Sequence, residues 1–185
     1  MDTPSESRNR LFTAIIFVLA FLLRFAARWF AGEAEFWRNS YHHFYDMAMG
    51  AKAGHAFCVY GDTGCATRPP GYAIFLLAAD WLHAGWWPIV VLQALLGAGT
   101  VLCGYWITQK LFGRRAGLWA SVMLAFYPYY AVHDTALHPG GLFTFLTALS
   151  ICLFLRARGA ASMLLAGLAL ALAALTTINL LPFLP

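Results

Sequence analysis

Between Asp80 and Arg158 the chain carries ionised side chains at only five positions: Lys110, Arg114, Arg115, Asp134 and Arg156. The stretches between them are apolar, and several approach the roughly 20 residues that a helix needs to cross a bilayer. A chain punctuated in this way has few folds open to it. With no water in the hydrocarbon, each crossing must bond its own backbone, as a helix does. Composition agrees: 61% of residues are hydrophobic and 11% charged, against about 25% charged in a soluble domain. The expected fold class is therefore an all-α polytopic membrane protein. The net charge of +4 is read through the positive-inside rule rather than as a nucleic-acid footprint.

Five spans are expected, near residues 11–30, 87–110, 116–132, 140–155 and 161–182, in a single transmembrane domain covering residues 1–185. Arg8 and Arg10 precede the first span and place the N-terminus in the cytoplasm. A cleaved signal peptide is the alternative, but the apolar run exceeds a usual signal core. An outer loop, 31–86, follows. Within it the run Tyr72–Leu82 is too short to span and suits an interfacial helix. This topology puts seven of the 12 basic residues inside, and all six histidines and six of the eight acids outside. Ionisable chemistry thus collects on the outer face.

The outer loop ends in Arg68-Pro69-Pro70-Gly71-Tyr72. Two prolines fix two φ angles and remove two N–H donors, so the segment cannot lie inside a helix. Arg68 is pushed towards an extended conformation. A planar, always-charged guanidinium at a membrane surface suits phosphate; an interfacial anchor is the plainer reading. Cys58 and Cys65 flank a glycine-containing turn, and an oxidising outer compartment would permit a short-loop disulfide. Two free thiols are the alternative. Cys103 and Cys152 lie in spans and read as small apolar packers.

The order of short motifs carries a resemblance. Tyr45, Ala48 and Gly54 in the outer loop are followed by Arg68-Pro69-Pro70-Gly71-Tyr72. Next come the run from Gln93 to Thr100, then Leu111-Phe112-Gly113-Arg114-Arg115, Phe126-Tyr127-Pro128 and Gly141-Leu142-Phe143-Thr144. The chain resembles the GT-C superfamily of membrane glycosyltransferases. Within it, the likeness is to the N-terminal half of the dolichyl-phosphate-mannose protein mannosyltransferase and aminoarabinose-transferase-like group. The resemblance implies transfer of a sugar from a polyprenyl-phosphate donor to an acceptor on the outer face of the inner membrane. It also implies further spans beyond residue 185; no cofactor is expected. An outer-loop carboxylate would act as general base, and basic residues would stabilise the departing phosphate.

The chain departs from that pattern at three places. Tyr41 and His42 stand where the family carries its loop acid, Pro139-Gly140-Gly141 where it carries a second acid, and Thr177 where an arginine is common. A rival reading is therefore a non-catalytic lipid-phosphate-binding or assembly subunit with a membrane partner.

Candidate substitutes follow from spacing. His42 and Asp46 are i,i+4 and share a helix face, where the carboxylate would orient the imidazole as a base. An interfacial aromatic face is the competing account. Arg24 and Arg28 are i,i+4 at membrane depth, where charge is costly and marks function; with Arg68 they are expected to clamp phosphate. His133, Asp134, His138 and Tyr72 are expected to line the site. The histidines and Asp134, with His42 or Asp46, could hold a divalent metal, although no ligand spacing marks one.

Overall fold

A computed structural model describes residues 4–38, 41–58, 68–82 and 85–177. Among these lie eight helices. α1 (Pro4–Trp37) is interrupted at Gly32, whose φ of 78° and ψ of 174° leave the helical region. Glycine reaches that conformation without a side-chain clash. The expected first span stops just before this break. α2 (His42–Lys52) and α3 (Gly71–Asp80) occupy the expected outer loop.

α4 (Trp87–Phe112) begins with Pro88 in its first turn, where a missing N–H removes no helical bond. α5 (Arg114–Phe126) follows Gly113, and α6 (Pro128–His133) follows Tyr127. α7 (Gly140–Arg156) and α8 (Ala160–Ala174) complete the described chain.

Two helices are long and apolar enough to cross a membrane, Asn9–Trp37 and Trp87–Phe112. The other expected spans correspond to shorter elements. Region 116–132 is not one helix but two, broken at Tyr127, which is extended with ψ of 114°. Pro128 is the cause: it disfavours helical geometry in the residue before it and has no N–H to continue the ladder.

α4 is the central element and packs against α1, α5 and α7; α8 packs on α7, and α2 on α3. Small residues on α4 let its neighbours approach. Gly99 faces the Phe145 ring and Gly104 faces Leu124, the packing mode expected where lipid provides no hydrophobic drive between helices. One apolar cluster joins Ile16, Ala20, Ala98, Val101 and Ala125. A second gathers Phe36, Phe44, Tyr72, Leu76, Ile89 and Leu137 where α2 and α3 cover the end of α4. The outside is apolar too: Phe30 is 87% exposed, Leu164 73% and Trp119 71%. A helical bundle with greasy flanks on this scale is a membrane protein.

Candidate functional site

A cavity of about 170 Å³ opens where α2, the Arg68-Pro69 segment, the N-terminus of α7 and the end of α8 meet. Tyr41 and Phe44 form one wall, Arg68 and Pro69 another, and His138, Pro139 and Gly140 a third. Thr176 and Thr177 close it. The three places where the chain departs from the resemblance, Tyr41, Pro139-Gly140 and Thr177, therefore converge on a single cavity with Arg68. They come from separate segments between Tyr41 and Thr177 in sequence. No described carboxylate lines the cavity. The Thr177 hydroxyl is buried there without a hydrogen-bond partner.

The Arg68 wall is held by backbone. Gly71 N–H donates to the Leu175 carbonyl at 2.7 Å, which ties the start of α3 to the end of α8. A Cβ at Gly71 would sit 2.5 Å from that carbonyl oxygen. The glycine of the Arg-Pro-Pro-Gly-Tyr motif is thus required by close approach rather than by an unusual φ.

The His138 wall is held by Gln93. Its Nε2 donates to the Ala136 carbonyl at 2.8 Å and to the Tyr72 hydroxyl at 3.1 Å. Tyr72 is fully buried, also bonds the His138 backbone, and has its phenol pKa raised by burial, so it stays protonated. It lies beneath the cavity, edge-on to Phe44 at 5.4 Å, and positions the wall without lining it. Gln93 was visible in the sequence only as the start of a motif. Its role as a buried bridge depends on three elements meeting.

His138 accepts a hydrogen bond from Gly140 N–H on Nδ1 at 2.8 Å. Tyr41 packs edge-on to its ring at 4.2 Å, and His133 lies 5.9 Å away. Burial, then the neighbouring His133, pushes the His138 pKa below its ordinary 6.5. Well above pH 6.5 the ring is neutral in both folded and unfolded chains. Below it the unfolded chain takes the proton first, so stability falls with falling pH until the folded pKa is passed. In detergent, His138→Asn is expected to flatten the part of the melting-temperature decline that starts below pH 6.5. An unchanged profile would remove His138 as the source.

The three arginines do not form one clamp. Arg24 is 1% exposed, and its Nε donates to Asp134 Oδ2 at 2.7 Å. Its other nitrogens reach the carbonyls of Ala20 (3.1 Å) and Leu124 (3.4 Å). Gly97 of α4 packs directly on the pair, and a Cβ there would collide with both partners. Burial raises the Asp134 carboxyl from its ordinary 3.8, and Arg24 pulls against that. Arg28, 2% exposed, donates to the Val132 carbonyl at 3.3 Å and lies 5.8 Å from the Phe36 ring centre. Neither arginine lines the cavity. Asp134 was expected to line it and instead neutralises Arg24.

His42 and Asp46 form the expected pair, with Nδ1 3.2 Å from a carboxylate oxygen, exposed on α2 beside Trp37 and Tyr45. They lie on a different face from Tyr41 and Phe44. His133 stacks on Tyr129 at 4.1 Å. Among the described residues no group of three or more His, Cys, Asp or Glu side chains could hold a metal ion. Cys58 is disulfide-bonded; Cys65 lies outside the described residues. Cys103 and Cys152 are free and buried.

Helical architecture and apolar surface define the class, an all-α membrane protein. A family model for dolichyl-phosphate-mannose-protein mannosyltransferase matches residues 67–185, more than half of the chain. The chain belongs to that family, whose members are membrane glycosyltransferases of the GT-C type. No curated protein and no solved structure matches it.

Proposed function

We propose that the cavity beside Arg68 binds the phosphate-sugar end of a polyprenyl-phosphate donor, and that the chain transfers this sugar to an acceptor at the outer face of the inner membrane. The observation that carries this reading is the convergence of Tyr41, Arg68, Pro139-Gly140 and Thr177 on one cavity. Arg68 is exposed at this site and is its one described cation. Its guanidinium meets the donor phosphate, and the unpartnered Thr177 hydroxyl offers a further contact. The His42–Asp46 pair lies outside the cavity lining, so it serves as general base only for an acceptor hydroxyl that approaches from that neighbouring face of α2. The proposed topology has five spans with the N-terminus in the cytoplasm. The basic ends of α4, α5 and α7 are then inside and the cavity outside.

The absence of a carboxylate among the described residues of the cavity lining favours a second reading, a subunit that binds the lipid phosphate without turnover. One experiment separates the two. A radiolabelled polyprenyl-phosphate sugar is mixed with the detergent-solubilised chain, and both retained donor and released sugar are counted. Sugar release above the no-protein control, with water standing in for the acceptor, supports transfer; retention without release supports the binding subunit. In either case Arg68→Ala is expected to weaken donor retention about tenfold, the scale of one charge-assisted hydrogen bond. Unchanged retention would take Arg68 out of the site.

A further inference from the structure

The opposite end of the bundle holds a larger cleft, of about 930 Å³, between the C-terminal ends of α4 and α7 and the start of α8. Lys110, Arg156 and Arg158 line it, one from α4, one from α7 and one from the α7–α8 link. α4, α5, α7 and α8 contain no Asp or Glu. No described ion pair involves any of the three cations. Positive-inside bias alone would scatter such charges around the rim; here they surround a concavity. Arg156 is also held in place, with its guanidinium 4.7 Å from the Trp106 ring centre, an arrangement that lowers the entropy lost on binding. Ile107 and Leu155 give the same cleft an apolar part. Cations at the rim and aliphatic side chains in the wall match a molecule with a phosphate at one end and hydrocarbon at the other.

We infer that this cleft is a binding site for the headgroup phosphate of an anionic phospholipid in the leaflet facing the basic end. The site is separate from the cavity at Arg68: the two share no lining residue. Basic pockets between membrane helices on the cytoplasmic side recognise anionic headgroups in this way.

The test is native mass spectrometry of the full chain in detergent, titrated separately with phosphatidylglycerol and phosphatidylcholine. Wild type is expected to retain phosphatidylglycerol at least about tenfold better, and Lys110→Gln/Arg156→Gln/Arg158→Gln to lose that preference. Arg114→Gln/Arg115→Gln removes two charges from the same end but outside the cleft lining, and is expected to change retention less than about twofold. Equal losses in the two variants would mean general surface charge and overturn the site, as would wild type without headgroup preference. Inorganic phosphate is titrated as competitor. Persistence of the lipid adduct supports the lipid; complete displacement by phosphate alone would assign the cleft to a soluble anion and overturn it.

Discussion

Replacing Asp134 with alanine is expected to cost about 3–5 kcal/mol of stability, the penalty for stranding a buried cation. Arg24 is 1% exposed and Asp134 6%, and the two meet at 2.7 Å across α1 and the turn after α6. Without the carboxylate, Arg24 keeps two backbone carbonyls but loses its only described counter-charge. Gly97 leaves no room for the guanidinium to shift towards α4. Thermal unfolding in detergent should show the loss. The double variant Arg24→Met/Asp134→Leu should recover most of it, because apolar pairs of similar volume replace buried ion pairs at little cost. A single-variant loss below about 1 kcal/mol would place the pair in the range of hydrated surface bridges.

Gly71→Ala is expected to destabilise by about 1–3 kcal/mol, the usual range for overpacking. The added methyl would meet the Leu175 carbonyl, which is backbone and cannot rotate away. Relief requires α3 and α8 to separate, breaking the Gly71–Leu175 hydrogen bond and moving Arg68 from Thr177. Melting temperature and donor retention should therefore fall together. Gly50→Ala is the control: it lies inside α2 with nothing within 4 Å of an added Cβ, and alanine is the better helix former. If Gly71→Ala melts like Gly50→Ala, the contact between the motif and α8 is not formed in solution.

Helix placement was largely legible because charge marks where helices end. The segment Lys110 to Arg115 brackets the turn between α4 and α5, and Arg156 closes α7. The break at Tyr127 was written in Pro128, but the apolar run hid it. Hydropathy averages over a residue that backbone geometry does not. The pairing of His42 with Asp46 was legible because both lie on one helix.

The partner of Arg24 was not legible. Asp134 is 110 residues away and was assigned with its neighbouring histidines to the cavity lining. Nothing local distinguishes a carboxylate that faces a ligand from one that neutralises a cation. The sequence likewise marked Arg68-Pro69-Pro70-Gly71-Tyr72 as stiff, yet not what it leans on. That required the end of α8.

The Gly71–Leu175 contact has a consequence for synthesis. A chain leaves the ribosome N-terminus first, so Arg68 waits more than 100 residues for the wall that completes its cavity. Closing so long a loop costs little more entropy than closing one half its length, so the delay is one of time rather than energy. Until α8 arrives, the Arg68 guanidinium faces an unfinished cavity. The cavity at Arg68 can be complete only after the last described helix has found its place.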